Sequence, residues 1–512
     1  MADEPDESPI DTSPPPEDTP RNWHVGRLVF YGVLAIWAVV ALWNLYKPMP
    51  NGTRVRGEVV ETPLNQLHFL ADVTGADVFG APIVEQQIFD AMLRVIGQAR
   101  QYVVLDFFLF NAQRGASTTP PRRLLSAELR DALLARKRAL PGLQVVVLSD
   151  PINNVYGSLP SADLAALRDA GMDVVTVDLD SLRDSNPIYS SLWRLTTKWW
   201  SGDGGGDTWL PNPLDAGPEQ VSFGAWARLL NFKADHRKVL LADDGHGGLT
   251  GIITSANPHD ASSLHSNVGL QLAGAALQPL LESELALARE SGWRSQWEPP
   301  PLAPAPPLAN PAEAAHVQVL TEGEIGTVIV RNITATRVGD SIDVAMFYLS
   351  ERSVIDTLIA AARRGVAVRV ILDPNKDAFG RSKDGIPNRS VATELAGASD
   401  GAIKLRWFRT HGEQFHTKFL SMRTQDEYWF TLGSANLTRR NLENYNLEAN
   451  VSVTIPPNSP LAGSIAAWYE MIWTNHGPPD LEYTSDFGTY ADPSQGTYWL
   501  YRFMEATGLS TF

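Results

Sequence analysis

The chain has 512 residues, a formal net charge of −16 and no cysteine. The missing cysteine excludes disulfide bonds, thiolate metal sites and a cysteine nucleophile. With 44 % apolar residues, the chain is long enough to bury a large core, and its acidic balance argues against a nucleic-acid binder, which ordinarily presents a basic face.

The N-terminal residues predict a disordered tail followed by a membrane anchor. Residues 1–27 are rich in proline and acidic residues and lack an apolar core-forming pattern. Residues 28–46 contain no charged residue and are long enough to cross a bilayer. A cleaved signal peptide and a buried core helix are the alternatives. We favour an uncleaved anchor, because Lys47-Pro48-Met49-Pro50 follows where a small-x-small cleavage site would stand.

The orientation of this anchor is not decided by the flanking charges. Arg21 and Arg27 precede the apolar segment, and Lys47, Arg54 and Arg56 follow it. Because basic residues stand on both sides, the positive-inside rule does not assign an orientation. A single-pass protein with its catalytic part on the extracytoplasmic side is our working expectation.

After the anchor, the same succession of elements occurs twice. An amphipathic helix precedes an apolar strand, and another helix precedes a second apolar strand that ends in Asp-Pro. The two strands cover residues 103–110 and 143–151 in the first copy, and 342–349 and 366–374 in the second. A further helix–strand pair follows at 162–177 and at 391–408. This alternation predicts two similar α/β sandwich halves with largely parallel strands, related by a pseudo-twofold axis.

The repeat also sets the predicted domain boundaries. The first half covers residues 65–297, a Pro-rich linker covers 298–311, the second half covers 312–480, and a C-terminal tail covers 481–512. The first half alone carries an insertion at about 181–232. Its tryptophans are Trp193, Trp199, Trp200, Trp209 and Trp226. Such residues can enter a lipid surface, line a substrate cleft or pack as ordinary core, and these alternatives stay open.

Each half then contains the same short set of polar residues. In the first half, His236-Arg237-Lys238 opens a predicted strand and Ser255-Ala256-Asn257 follows a hairpin; His416-Thr417-Lys418 and Ser434-Ala435-Asn436 repeat this in the second. Residues two apart on a strand share a face, so each histidine lies beside its lysine. The ammonium, hydroxyl and carboxamide groups suit a phosphate, and the imidazole can attack or carry a proton. The two sets together predict one phosphodiester-cleaving site.

These motifs resemble the signature of the phospholipase D superfamily, which is His-x-Lys, four residues, Asp, and then Gly-Ser-x-Asn. The first half matches through Asp243 but has Thr254 where the glycine should stand. The second half has Arg423 in place of the aspartate. Its segment from Gly433 to Asn441 looks much like that of cardiolipin synthases, and the resemblance covers about residues 65–480.

In that family an Asn-x-Glu often follows, and its glutamate orients a motif histidine. The second half has Asn446-Leu447-Glu448, whereas the first has Asn267-Val268-Gly269 and lacks the carboxylate there. We therefore expect Glu448 to serve His416, and we expect the two histidines to lie in unlike environments that favour different roles.

The resemblance implies a two-step displacement at phosphorus that needs no metal or other cofactor. By analogy with the family, His236 is the expected nucleophile and His416 the expected acid and base. A carboxylate partner at His416 fits this assignment, because it favours a protonated imidazole, and the reverse assignment stays open. Further expected site residues are Lys238, Lys418, Asn257 and Asn436 on the phosphate, Ser255 and Ser434 beside the histidines or the phosphate, and Asp243 in support. A metal site at Asp243, Asp244 and His246 is the competing interpretation, but a Gly-rich turn is favoured there. For His259, Asp260 and His265 we favour capping and surface roles.

The sequence thus predicts a membrane-anchored phospholipase D or phosphatidyltransferase with a phospholipid substrate. A nuclease or other phosphodiesterase of the same superfamily is the first alternative, although the net charge makes nucleic acid an unlikely partner. An inactive membrane-tethered binding protein is the second, motivated by Arg423 and Gly269. The sequence identifies no headgroup, acceptor or protein partner.

Overall fold

The structure is a computed structural model that describes residues 23–76, 82–117, 120–201, 205–303, 314–476 and 481–512. The predicted tail up to residue 22 and residues 304–311 of the predicted linker lie outside these ranges. The helices are α1 (Trp23–Tyr46), α2 (Ile88–Gln98), α3 (Leu125–Ala139), α4 (Ala162–Asp169), α5 (Pro187–Leu195), α6 (Thr197–Ser201), α7 (Phe223–Leu229), α8 (Gln278–Glu290), α9 (Gly323–Ala335), α10 (Arg352–Arg363), α11 (Asn388–Ala398), α12 (Arg439–Leu442), α13 (Pro460–Thr474) and α14 (Gln495–Thr507).

The strands are β1 (Val60–Pro63), β2 (Leu67–Ala76), β3 (Pro82–Glu85), β4 (Tyr102–Phe107), β5 (Gln144–Ser149), β6 (Asp173–Thr176), β7 (Thr208–Pro211), β8 (Gln220–Ser222), β9 (Lys238–Asp243), β10 (Leu249–Thr254), β11 (Asn267–Ala273), β12 (Ala314–Thr321), β13 (Ser341–Met346), β14 (Ala367–Leu372), β15 (Asp377–Ala378), β16 (Arg381–Ser382), β17 (Lys404–Phe408), β18 (Lys418–Arg423), β19 (Tyr428–Gly433), β20 (Ala449–Ile455) and β21 (Thr484–Asp486).

Two mixed sheets with corresponding strand orders organise the chain. The first has the order β3-β2-β11-β10-β9-β4-β5-β6, and the second has the order β1-β12-β20-β19-β18-β13-β14-β17-β21. The prediction of two similar α/β halves is confirmed. The expectation of largely parallel strands is wrong, because parallel pairing is confined to β4-β5-β6 and β13-β14-β17. No crossover helix separates β9 from β10 or β18 from β19, so these strands pair as hairpins.

The two sheets pack face to face around a shared core. Along β9, Val239 and Leu241 belong to the apolar cluster between the sheets, whereas Leu240 and Ala242 belong to the cluster under the helices of the first half. This alternation follows from the two-residue period of a strand. The result is a layered sandwich in which each sheet is covered on its outer face by helices of its own half.

Segments outside the predicted second half complete its sheet. Strand β1 pairs with β12 although it precedes the first half, and β21, which lies in the predicted C-terminal tail, pairs with β17. Tyr501 of α14 is fully buried in the apolar cluster of the second half. Residues 60–63 and 481–512 therefore contribute to this half beyond the predicted limits of 312–480.

Helix α1 and the insertion lie beside the sandwich. Residues His24–Tyr46 are long and apolar enough to cross a membrane by length and composition, and 6 % of their most apolar window is buried. The insertion forms α5, α6, the β7–β8 ribbon and α7. The core alternative is confirmed for Trp193, which is buried, while Trp226 is partly buried and Trp199, Trp200 and Trp209 are exposed.

Candidate active site

The two motif histidines stand at equivalent places, each two residues before the first lysine of a strand, β9 or β18. The segment that leads to each histidine forms backbone hydrogen bonds with the opposite half. The backbone N–H of His236 donates to Leu447 O at 2.9 Å, and Leu447 N donates to Ala234 O at 3.1 Å. In the same way, Ser266 N donates to Gln414 O at 3.1 Å, next to His416. Each histidine is therefore held against the strand end of the opposite half.

This exchange decides which side chain meets which histidine. Glu448 follows Leu447, and its carboxylate oxygens lie 2.9 and 3.0 Å from Nδ1 of His236. Asn267 follows Ser266, and its Oδ1 lies 3.2 Å from Nδ1 of His416. The expectation that Glu448 contacts His416 is wrong. The segment beside each histidine belongs to the opposite half, so Glu448 of the second half contacts His236 of the first.

The strand register also corrects the comparison of the two halves. Thr254 pairs with Gly269 on β10–β11, and Gly433 pairs with Asn450 on β19–β20. Gly269 and Asn450 are therefore equivalent positions. Asn267 and Glu448 each stand two residues before them, so Asn267, and not Gly269, is the counterpart of Glu448. The connection that precedes Asn267 is two residues shorter than the connection that precedes Glu448. For this reason the sequence comparison paired Gly269, instead of Asn267, with Glu448. The first half still lacks a carboxylate at this place.

The motif serines hold the partners of the histidines. Ser255 Oγ donates to Asn267 Oδ1 at 3.0 Å and accepts from Val268 N at 3.1 Å. Ser434 Oγ donates to Glu448 Oε2 and accepts from Ala449 N at 3.0 Å. Each serine is therefore in contact with the group that contacts the histidine of the opposite half, and this geometry suits a positioning residue.

Both motif lysines are buried beside their histidines. Lys238 Nζ donates to His236 O at 2.7 Å, and Lys418 Nζ donates to His416 O at 2.9 Å. Burial lowers the pKa of Lys238 to about 8, and burial followed by the charge of Lys238 lowers the pKa of Lys418 well below its ordinary value. The neighbouring ammonium groups make this place favourable for an anion.

The two motif asparagines differ in their hydrogen bonds. Asn257 Oδ1 accepts from Leu109 N at 3.2 Å. Asn436 Oδ1 is buried and has no hydrogen-bond partner within the described structure. Since an unpaired buried acceptor is costly, the two asparagines are not equivalent in this structure.

The two histidines differ in electrostatic surroundings. Burial lowers the pKa of His236 to about 4, although Glu448 acts in the opposite direction. Burial alone would raise the pKa of Glu448, but His236, Lys238 and Ser434 together lower it. At neutral pH His236 is therefore neutral, with its Nδ1–H donated to an ionised carboxylate and the lone pair of Nε2 free. Burial, Lys418 and His265 lower the pKa of His416 well below its ordinary value.

The repeated Asp-Pro pairs position the backbone before each histidine. Asp150 Oδ2 accepts from Asp235 N at 2.7 Å, and Asp373 Oδ2 accepts from Phe415 N at 2.8 Å. The sequence contained the signal, because both aspartates end equivalent strands, but no role was predicted for them. Burial raises the pKa of Asp373 to about 7, and burial raises that of Asp150 well above its usual range.

A buried arginine connects the surroundings of His236 to Glu448. Arg237 donates to Glu284 Oε1 at 3.1 Å and to Glu322 Oε1 at 2.7 Å. The same Glu322 oxygen accepts from the backbone N of Glu448 at 3.2 Å. The second half has Thr417 at the position of Arg237, and its hydroxyl donates to Ser266 O at 3.4 Å. A neutral hydroxyl thus stands where the first half has a guanidinium with two glutamates, so the two environments differ for a second reason.

Asp243 lies far from the histidines. It ends β9, five residues beyond Lys238 and about 17 Å away along the strand. Its carboxylate accepts from the backbone N of Arg100, Gln101 and Tyr102 at 2.7 to 3.1 Å, so it holds the start of β4. Asp244 accepts from the backbone of His246 and Gly248, as expected for a turn.

Two further histidines of the first half are buried near His416. The ring of His265 lies 5.8 Å from the ring of His416, and the ring of Phe379 lies 5.6 Å from His265 and 5.2 Å from His259. The surface role expected for both histidines is wrong, since each is 4 % exposed. Phe379 connects β15 to β16 and its carbonyl accepts from Ala116 N at 2.8 Å, so this hairpin of the second half covers part of the first.

Comparison with known proteins agrees with this geometry. Residues 329–473 match the family model described as "Cardiolipin synthase, PLD-like domain". Comparison with curated proteins gives no significant match. Among solved structures, a phosphatidylserine synthase from Haemophilus influenzae is similar over 91 % of this chain and 96 % of its own, with 12 % identity and a TM-score of 0.52. At this identity the similarity supports a shared fold alone.

Two other solved structures have lower scores. A polyphosphate kinase from Porphyromonas gingivalis is similar over 90 % of this chain and 55 % of its own, with 12 % identity and a TM-score of 0.42. Nuc, a phospholipase D family member from Salmonella typhimurium, covers 33 % of this chain and 97 % of its own, with 21 % identity and a TM-score of 0.26.

Proposed function

We propose that the chain is a membrane-anchored phosphodiesterase of phospholipids. Residues 329–473 match the family model described as a cardiolipin synthase, PLD-like domain, and the fold is similar to that of a phosphatidylserine synthase. The chain hydrolyses the phosphatidyl–headgroup bond or transfers the phosphatidyl group to an alcohol. Residues 28–46 hold it in the membrane, with the catalytic part on the extracytoplasmic side. It uses no metal or other cofactor, and nucleic acid is not its substrate.

The crossed pairing of the histidines is the observation that carries this proposal. His236 meets Glu448 of the second half, and His416 meets Asn267 of the first. Neither half has a complete histidine site by itself. Because each motif histidine contacts a side chain of the opposite half, the two motifs support one composite site rather than two independent sites.

In the first step, Nε2 of His236 attacks phosphorus and the bond from phosphorus to the headgroup oxygen breaks. Glu448 accepts the Nδ1–H of His236, which leaves the lone pair on Nε2. Nε2–H of His416 donates its proton to the departing alcohol oxygen. The products of this step are a phosphatidyl-histidine and the free headgroup alcohol.

In the second step, Nε2 of His416 takes a proton from water or an alcohol. The resulting oxygen attacks phosphorus, and the bond to Nε2 of His236 breaks. Lys238, Lys418, Asn257 and Asn436 bind the non-bridging phosphate oxygens in both steps. Water gives a phosphatidic acid, whereas an alcohol gives a new phosphatidyl ester.

The expected reason for the acid role of His416 does not hold, because the carboxylate meets His236. The proposed assignment rests instead on the neutral Asn267 partner of His416. The Asn267 amide accepts the Nδ1–H of His416 but does not stabilise an imidazolium as a carboxylate would, so a protonated His416 releases its proton readily. A bound phosphodiester anion offsets the charges of Lys238 and Lys418 and raises the pKa of His416 when the proton is needed.

Product identification by mass spectrometry tests this function. The full chain is incubated with vesicles of phosphatidylcholine, phosphatidylglycerol and cardiolipin plus a primary alcohol. We expect phosphatidic acid or a phosphatidyl alcohol from wild type and from His246→Ala, an exposed-histidine control, but not from His236→Ala. No product from wild type, or equal product from His236→Ala, contradicts the proposal. Cleavage of a labelled oligonucleotide without lipid products would instead support the nuclease alternative.

A further inference from the structure

Helix α1 is attached to the insertion along its C-terminal part. It packs against α5, and Asp184 N donates to Asn44 O at 2.9 Å. Lys47 Nζ donates to Asp180 O at 2.7 Å, and Arg183 Nε donates to Lys47 O at 2.8 Å. These contacts fix the end of α1 on the insertion, so α1 is not a freely pivoting tether.

The length of α1 that stays uncovered is too short to cross a bilayer. Residues 24–36 are exposed throughout, and the first partly covered residue is Trp37. Thirteen helical residues extend about 20 Å, whereas the hydrocarbon core of a bilayer is about 30 Å thick. If α1 spans the membrane, the bilayer must also surround the part of α1 that packs on α5.

The insertion presents exposed apolar side chains on α5, the helix that packs against α1. Ile188, Leu192 and Leu195 recur at helical spacing on α5 and are exposed, and Trp199 and Trp200 continue this surface on α6 with 76 % and 86 % exposure. We call these five residues the α5–α6 face. Contiguous apolar surface of this kind is unusual on a protein surrounded by water.

Two charged side chains and one indole beside the α5–α6 face have partners. Arg194 forms an ion pair with Asp184 at 2.9 Å, and Lys198 forms one with Asp180 at 2.7 Å. The indole N–H of Trp199 donates to Arg194 O at 2.9 Å. Because unpaired charges and donors make transfer into lipid costly, these contacts lower the cost of placing the face in a membrane.

We propose that the α5–α6 face is a membrane-embedded surface, which enters the bilayer leaflet from which α1 emerges. Its occupant is the lipid bilayer itself, at the depth of the interface and the upper acyl chains. The proposal rests on the anchoring part of the proposed function but not on its chemistry.

Embedding would also hold the site near the lipid. Lys233, three residues before His236, donates to Leu179 O and Leu182 O at 3.1 and 2.7 Å and pairs with Asp184 at 2.6 Å. The base of the insertion is thereby hydrogen-bonded to the segment that carries His236.

Spin labelling tests the proposal, since the chain has no native cysteine. Single variants Leu192→Cys, Trp200→Cys, Ile36→Cys and Val338→Cys are labelled with a nitroxide in the full chain. Val338 is 78 % exposed in the second half and is the aqueous control, and Ile36 reports on α1. The proteins are reconstituted in vesicles of phosphatidylcholine and phosphatidylglycerol, also in a His236→Ala background to exclude lipid turnover.

We expect labels at 36, 192 and 200 to collide with oxygen and to be protected from a water-soluble nickel complex, with the opposite result at 338. Nickel access at 192 and 200 together with lipid exposure at 36 overturns the proposal while leaving the anchor intact. Nickel access at 36 overturns both. Protection at 192 and 200 from both reagents, with dipolar coupling between copies, overturns it in favour of self-association. None of these outcomes depends on catalytic turnover.

Discussion

Glu448 of the second half accepts the Nδ1–H of His236 in the first half at 2.9 Å. The carboxylate also accepts hydrogen bonds from Ser434 and Asn441, so its own position is fixed by three donors. A histidine held in this way has one tautomer, and its Nε2 is available to attack. The histidine that we propose as the nucleophile is therefore oriented by a residue of the other half.

Replacing Glu448 with glutamine should lower turnover without displacing His236. The amide keeps an acceptor for Nδ1–H but loses the charge. A charged hydrogen bond of about 1.5–3 kcal/mol is replaced by a neutral one of about 0.5–1.5 kcal/mol, and the difference corresponds to a roughly tenfold loss in kcat. Steady-state kinetics on vesicles measure the effect. Glu443→Gln, a surface pair with Arg439, should leave kcat unchanged. An unaffected Glu448→Gln enzyme would show that this contact has no catalytic consequence.

Replacing His416 with alanine should trap the covalent intermediate. With a substrate whose leaving group needs no protonation, such as a nitrophenyl ester, His236 can still attack, but no base remains to activate water. Intact-mass spectrometry should show one phosphatidyl adduct on His416→Ala and none on His236→Ala. An adduct on His236→Ala alone would reverse the assignment of the two histidines.

The pH dependence of KM should report Lys238. Its pKa is lowered to about 8, so it loses its charge as pH rises through about 8, and phosphate binding weakens above this value. Glu448 acts to raise this pKa, so Glu448→Gln should move the rise in KM to lower pH. His236, with a pKa of about 4, should limit activity on the acidic side only below about pH 4. A KM that is constant from pH 6 to 10 would contradict the role of Lys238.

Replacing Asp373 with asparagine should change the pH dependence of stability. The pKa is 3.8 in the unfolded reference and about 7 in the folded chain, so the folded state binds more protons between these values. This contribution to stability is complete below about pH 4 and is lost as pH rises through 7.

Between pH 4 and 7 the stability of wild type should therefore fall by up to roughly 4 kcal/mol, whereas that of Asp373→Asn should not show this fall, because its amide does not ionise. The amide also cannot accept at both oxygens as the carboxylate does from Phe415 N and Asn375 N, so its stability at pH 4 should be lower than that of wild type. Chemical denaturation at several pH values measures it. Asp373→Ala, which cannot accept from Phe415 N, should be less stable at every pH. Parallel pH curves for wild type and Asp373→Asn would rule out a raised pKa.

Replacing both Trp199 and Trp200 with serine should impair activity at membranes selectively. The change removes exposed apolar surface from the α5–α6 face, and about tenfold lower activity on vesicles corresponds to about 1.4 kcal/mol of lost membrane interaction. Activity on a monomeric short-chain phospholipid should stay as in wild type. Val338→Ser removes an equally exposed apolar residue elsewhere and should behave as wild type on both substrates. An equal loss on both substrates would indicate damage to the site instead.

The sequence by itself determined the elements whose physics is local. The two-residue period of a strand places His236 beside Lys238 and His416 beside Lys418, and the repeated order of helices and strands predicts two similar halves. The apolar run from 28 to 46 predicts a helix long enough to span a bilayer. These features depend on residues close together along the chain.

Only the tertiary structure decided which partner each histidine meets. Glu448 was expected beside His416 because both belong to the second half, but the pairing of Asp235 with Leu447 brings it to His236. A contact between residues 212 positions apart is set by how two sheets pack, and no local spacing encodes it. The same holds for α1 and α5: the sequence separates them by about 140 residues, and only their packing places the insertion beside α1.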